Sequence, residues 1–139
     1  MTSKKGVLNL KQALLVIDAQ QELIDGNEKE ECVFQKDRLL ENINLVIKQA
    51  MESEALVIFM RDQDVANGEG EGFQIHSEIQ VPSDAKVFNK LATNSFYGTP
   101  LLECLTKNKI EHLVIMGCKT EHCVDTAVRT ATIHGMDVT

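Results

Sequence analysis

Short runs rich in apolar residues alternate along the chain with segments whose apolar residues recur at helical spacing. These runs cover residues 13–17, 55–60, 85–88, 112–116 and 136–139. A short apolar run bounded by polar residues is typical of a strand that is buried on both faces, as in a parallel sheet. The pattern therefore predicts five strands, the last of which begins where the given chain stops.

Three segments between these runs carry the capping residues and the spacing of helices. Asp37 is a predicted N-cap, followed by an apolar stripe at helical spacing. Thr99 and Pro100 form an N-cap and first-turn pair for a second helix, and Thr120 caps a third. Strands that alternate with helices indicate an α/β protein. We predict a Rossmann-like three-layer sandwich with a mostly parallel sheet and right-handed crossovers.

The segment 61–82 shows no strong periodicity. It contains Gly68, Gly70 and Gly72, which are separated by glutamates that would repel a phosphate group. No capped helix follows these glycines. We interpret residues 68–72 as a flexible surface loop, with a lid or a subunit contact over the pocket as the functional alternative.

Composition places the chain among globular proteins. Its 139 residues are 43% hydrophobic and 25% charged, which fits a single domain over residues 1–139. The net charge of −7 gives no general attraction for nucleic acid or an anionic membrane. Because no signal peptide is apparent and the chain does not need disulfides, we expect its four cysteines to be thiols in the cytoplasm.

Three residues with useful chemistry follow predicted strands: Asp18, Lys90 and Cys123. The carboxyl ends of parallel strands meet at one edge of a sheet, where ligands bind. Asp18 is either a general base or a turn or capping aspartate, and Lys90 either stabilises an anion or is a surface lysine. Cys123 lies three residues after the predicted cap, where backbone N–H groups and the helix dipole favour a thiolate. Its alternative is a buried, inert thiol.

Three motifs in this order resemble the isochorismatase-like cysteine hydrolases, a superfamily that includes nicotinamidases and N-carbamoylsarcosine amidohydrolases. They are residues 15–20 (LVIDAQ), 90–101 (KLATNSFYGTPL) and 114–124 (VIMGCKTEHCV). The resemblance implies a catalytic triad of Asp18, Lys90 and Cys123, in which Cys123 attacks the substrate, Asp18 moves the proton and Lys90 holds both groups in place.

The resemblance also implies an oxyanion site and a pocket. A cis peptide between Cys118 and Lys119 would aim N–H groups at the oxyanion. Gln20, Phe96 and Tyr97 would line the substrate pocket, and core packing is the alternative for the two aromatic residues.

Nicotinamidases carry an Asp-x-His pair after the second strand and a further histidine downstream. The equivalent positions here are Asp62 and Asp64, so the first histidine is missing, while His76 matches the downstream one. These three residues are weak candidates for a divalent ion, and we expect neither a metal nor another cofactor.

The resemblance predicts a cysteine hydrolase that acts on a C–N bond of a small molecule through a covalent intermediate. The alternative is a catalytically silent family member that serves as a binding module. Family members have longer chains, so the fold is expected to be truncated after the start of its fifth strand. That would leave a sheet edge uncovered, which favours a homo-oligomer, a dimer or higher.

Overall fold

A computed structural model describes residues 11–29, 31–91, 94–118 and 137–138. The predicted helix after Thr120 lies outside these residues, as do Lys119 and Cys123. The described part contains a five-stranded sheet whose paired strands are all parallel, in the order β3-β2-β1-β4-β5. Its strands are β1 (Gln12–Ile17), β2 (Leu56–Asp62), β3 (Lys86–Lys90), β4 (His112–Gly117) and β5 (Asp137–Val138).

Helices connect these strands in the described ranges. They are α1 (Gln21–Asp25), α2 (Lys36–Glu52), a 3-10 turn (Val65–Gly68), α3 (Gly70–Phe73) and α4 (Leu101–Lys107). The predicted cap of α2 is wrong, because Gln35 is the N-cap and Asp37 lies in the first turn, where its charge suits the helix dipole. At α4 the N-cap is Pro100, and the backbone N–H of Leu101 donates to the Thr99 hydroxyl at 3.3 Å.

The hydrophobic core lies on both faces of the sheet. Alternate side chains of β1 point to opposite faces, because successive residues of a strand alternate in direction. Ala13, Leu15 and Ile17 pack in the layer that contains α4, whereas Leu14 and Val16 pack in the layer that contains α2. The arrangement confirms the predicted three-layer α/β sandwich.

The glycine-rich segment contains the short helix α3, which the sequence analysis did not predict. Val65, Phe73 and Ile79 are buried, and α3 lies within the segment. A Cβ atom at Gly72 would come within 3.1 Å of Glu22 and Ala66, so the segment packs closely against α1. In the part of the chain that the structure describes, no helix is long and apolar enough to cross a membrane.

Candidate active site

Two of the predicted site residues meet at the carboxyl edge of the sheet. Asp18 directly follows β1, Lys90 is the last residue of β3, and β2 lies between these strands. The Lys90 ammonium reaches across β2, and its Nζ lies 3.5 Å from Oδ1 of Asp18. The side chains are 0% and 1% exposed, so the pair is withdrawn from water.

The backbone at Asp18 is turned sharply. Its φ of 62° is in the left-handed region, where a residue with a Cβ is strained, although aspartate is among those that tolerate it. Its N–H still donates to the Met60 carbonyl of β2 at 2.9 Å. The strand thus ends at Asp18. Local strain of this kind is commonly kept at functional sites.

Burying two charges is costly. The attraction between an ammonium and a carboxylate in the interior repays the loss of water only in part, so a buried ion pair is weak evidence for stability. Such pairs are instead frequent where a site needs charged groups away from water. Because its burial is not explained by stability, the Asp18–Lys90 pair marks a candidate active site.

Gln20 braces this edge of the sheet. Its Oε1 accepts the N–H of Asp62 at 2.9 Å, and its Nε2 donates to the carbonyls of Asp62 at 3.1 Å and Phe73 at 2.9 Å. The side chain is completely buried, and its amide is engaged in these three bonds. The structure therefore gives Gln20 a bracing role, two residues from Asp18, and its predicted contact with substrate stays a prediction.

His76 is buried against Asp25 rather than joined to the aspartates at residues 62 and 64. Its Nδ1 accepts the N–H of Glu78 at 3.1 Å, so the proton is on Nε2, which donates to Asp25 at 2.8 Å. Lys36 and Gln21 also donate to the Asp25 carboxylate. Burial tends to raise the pKa of Asp25, but the bonds from His76, Lys36 and Gln21 outweigh it and lower that pKa to about 2.

Cys118 lies beside Asp18 at the end of β4. Burial, and then the negative charge of Asp18, raise the pKa of the Cys118 thiol to about 12. Its backbone N–H donates to the Ile17 carbonyl at 3.2 Å. Cys118 is thus an un-ionised thiol at neutral pH. The peptide bond to Lys119 and the predicted nucleophile Cys123 lie outside the described residues.

The two aromatic residues predicted to line the pocket differ in burial. Phe96 is 9% exposed and packs in the α4 layer, whereas Tyr97 is 72% exposed on the surface. The sequence analysis missed two other features: the Asp25–His76 pair and the buried Ser95 hydroxyl. No pattern could have revealed the pair, because its members lie 51 residues apart. The sequence signal for Ser95 was its place in the motif that begins at Lys90.

The fold is that of a Rossmann-like α/β domain, with the buried Asp18–Lys90 pair at the carboxyl ends of its strands, where ligands bind in such folds. The sequence profile of the isochorismatase domain matches residues 12–139. The uncharacterized isochorismatase family protein YrdC of Bacillus subtilis (strain 168) is 29% identical over 132 residues, which are 91% of this chain and 69% of that protein. Because the profile spans most of the chain, the chain belongs to the isochorismatase family.

Solved structures share the fold. An isochorismatase family protein is 26% identical with a TM-score of 0.82, and the match covers 91% of this chain and 75% of that one. The pyrazinamidase of Pyrococcus horikoshii in complex with zinc is 24% identical with a TM-score of 0.77, over 91% of this chain and 80% of that one. At that identity the likeness shows the fold alone.

No group of three or more His, Cys, Asp or Glu residues in the described part of the chain is placed to hold a metal ion. Both ring nitrogens of His76 are already engaged. The side chain of Asp62 accepts the N–H of Asp64 at 2.9 Å. The described residues do not fit a bound metal.

Proposed function

We propose that the protein is a cysteine hydrolase that cleaves a C–N bond of a small amide through a thioester intermediate. The family supplies the broader class, because it includes hydrolases such as the pyrazinamidase. The proposal assigns Cys123 as nucleophile, Asp18 as general base and acid, and Lys90 as the cation that holds the carboxylate.

In the first half-reaction the Cys123 thiol gives its proton to the Asp18 carboxylate, and its sulfur attacks the carbonyl carbon of the amide. The new C–S bond leaves a negative charge on the carbonyl oxygen, which backbone N–H groups of residues 119 and 123 would stabilise. When this intermediate collapses, the C–N bond breaks. Asp18 returns the proton to the nitrogen, which leaves as ammonia or an amine.

In the second half-reaction water hydrolyses the thioester. Asp18 takes a proton from the water, whose oxygen attacks the acyl carbon, and the C–S bond then breaks. The proton returns to the Cys123 sulfur and the acid product leaves. Lys90 holds the Asp18 side chain in place in both half-reactions.

The observation that carries this proposal is the buried Asp18–Lys90 pair at the carboxyl edge of the sheet. A carboxylate 1% exposed, held by an ammonium at 3.5 Å, is poorly placed to act as a surface cap or a solvated turn residue. The negative charge of Asp18 acts on the neighbouring thiol of Cys118 and contributes to raising the pKa of that thiol. A carboxylate with this placement suits proton transfer within an enclosed site.

A screen of the purified protein tests the proposal. Ammonia release is measured from a panel of acetamide, benzamide and pyrazinamide, and Cys123→Ala is compared with Cys32→Ala as its matched control. We expect Cys123→Ala to abolish release and Cys32→Ala to retain it, because the Cys32 thiol is exposed and has no role in the proposed mechanism. Release that survives Cys123→Ala would refute the assignment of the nucleophile.

Self-association is a further proposal. Phe34, Leu91 and Tyr97 are 87%, 78% and 72% exposed. Phe34 lies just before α2, Leu91 just after β3 and Tyr97 just before α4, so all three lie towards the carboxyl edge of the sheet. Exposed apolar side chains near a site favour contact with another protein surface. We expect sedimentation velocity to give a dimer or higher assembly, and a monomer at micromolar concentration would contradict this.

A further inference from the structure

Ser95 has a buried hydroxyl group that none of the residues described by the structure binds. The residue is 0% exposed, and within the described ranges its Oγ has no hydrogen-bond partner. A buried hydroxyl can both donate and accept, and nearly all such groups in folded proteins are bonded. Leaving this one without a protein partner opposes folding, so its presence calls for a reason outside the fold.

The position of Ser95 points to the site. After α4 the chain reaches the amino edge of the sheet, where the N–H of Glu111 donates to the Lys11 carbonyl at 2.8 Å beside the start of β1. The turn before α4 therefore lies at the opposite, carboxyl edge, together with Asp18 and Lys90. The neighbouring Phe96 packs into the α4 layer of the core, which anchors the turn against the sheet.

The turn is held in place without the Ser95 hydroxyl. The N–H of Phe96 donates to Oδ1 of Asn94 at 2.9 Å, and the N–H of Tyr97 donates to the Asn94 carbonyl at 3.1 Å. The Thr99 hydroxyl donates to the Ser95 carbonyl at 2.6 Å. The backbone of Ser95 is thus fixed by other groups, which hold its Oγ in a defined position before any ligand binds.

We propose that Ser95 is a substrate-binding residue whose hydroxyl hydrogen-bonds the amide group of the small molecule held beside Asp18 and Lys90. A hydroxyl suits an amide because it can donate to the carbonyl oxygen or accept from the N–H. The inference rests on the proposed function, since it takes the amide as the substrate. It adds a residue that selects polar substrates over apolar ones of the same shape.

The experiment compares Ser95→Ala with Ser83→Ala, which makes the same chemical change at an exposed position. On whichever panel amide the wild-type protein hydrolyses, Ser95→Ala should raise KM roughly fivefold while kcat changes less, as expected for one lost hydrogen bond to the substrate. Its urea midpoint should not fall. Ser83→Ala should match the wild-type protein in both measurements. An unchanged KM with a lower urea midpoint would overturn the proposal, because the hydroxyl would then serve the fold.

A second readout separates this inference from the proposed function. If the wild-type protein hydrolyses none of the panel amides, that failure belongs to the proposed function. Alkylation of Cys123 by iodoacetamide, itself a primary amide, is then compared with modification by methyl methanethiosulfonate, which has no amide. Trypsin isolates Cys123 in the peptide 120–129, so its rates are measured separately from those of the other cysteines. The proposal is supported if Ser95→Ala reacts more slowly than the wild-type protein with iodoacetamide but at the same rate with methyl methanethiosulfonate. It is overturned if the two proteins react at the same rate with each reagent.

Discussion

Replacing Lys90 by Met removes the ammonium from a pair in which both side chains are almost completely withdrawn from water. The two charged atoms are 3.5 Å apart. Coulomb's law at an effective dielectric constant of about 20 gives an attraction of about 5 kcal/mol at that distance. Breaking a buried pair by removing one partner typically costs about 3–5 kcal/mol. We therefore expect Lys90→Met to lower the free energy of unfolding by about 4 kcal/mol.

The chain offers a matched control in a second Lys–Asp pair. Lys36 lies closer to its partner, with Nζ 3.0 Å from Oδ1 of Asp25, but these side chains are 32% and 33% exposed. Pairs that remain in contact with water contribute about 0–1 kcal/mol. Lys36→Met should therefore cost no more than about 1 kcal/mol, although its pair is the shorter one.

Urea unfolding followed by circular dichroism measures both changes, since the chain contains no tryptophan for fluorescence. The double variant Asp18→Asn/Lys90→Met should recover most of the stability lost in Lys90→Met, because no charge then remains buried at the pair. A cost for Lys36→Met equal to or above that for Lys90→Met would refute the argument that burial, rather than distance, sets the strength of these pairs.

Three further predictions concern the surrounding residues. The folded pKa of Asp25 is about 2 against 3.8 for the free group, so its charge stabilises the fold above about pH 4 and loses that effect as the pH falls through 2. Since the group is a third exposed, Asp25→Asn should cost about 1 kcal/mol at pH 7 by urea unfolding, and the cost should disappear only well below the folded pKa, near pH ~1. Iodoacetamide at pH 8 should label exposed Cys32 well before Cys118, whose pKa is about 12, and equal labelling by mass spectrometry would contradict this. Gln20→Ala should cost about 2 kcal/mol because it leaves buried backbone groups without their partner, whereas Gln80→Ala on the surface should stay within about 0.5 kcal/mol.

The strands were predictable from the sequence because burial on both faces of a parallel sheet requires a continuous apolar run. The run at residues 13–17 became β1, and the charge directly after it marked the carboxyl edge of the sheet at Asp18. Lys90 was placed at the same edge by the same reasoning, and the two side chains do meet. The alternation of strands with helices gave the layer arrangement.

The short helices could not be predicted from periodicity. The helices α1 and α3 contain five and four residues, which is too short for an apolar stripe to repeat. The glycines of α3 also have a low helix propensity, and tertiary packing of Phe73 overrides it. The same limit applies to Phe96 and Tyr97, because a turn has no fixed period to indicate which side chain faces the core.

Contacts between distant segments carry no sequence signal of their own. The pairing of Asp25 with His76 depends on how the segment 61–82 folds over α1, and that fold was not predictable. The bracing bonds of Gln20 arise in the same way, since they join the end of β1 to backbone groups in two other segments. A single sequence gives the residue types but not these bonds.

The central claim is that Asp18, held by Lys90, activates the thiol of Cys123. It is tested most directly by the rate of iodoacetamide alkylation of the 120–129 tryptic peptide as a function of pH, in the wild-type protein and in Asp18→Asn. Asparagine preserves the shape of the side chain and tolerates the left-handed backbone at this position. The account predicts that the alkylation rate reaches half its maximum at a pH well below ~8.5, the typical pKa of a free cysteine. It also predicts that Asp18→Asn shifts the pH at which the rate is half-maximal. A midpoint at or above about 8.5 that is the same in both proteins would contradict it.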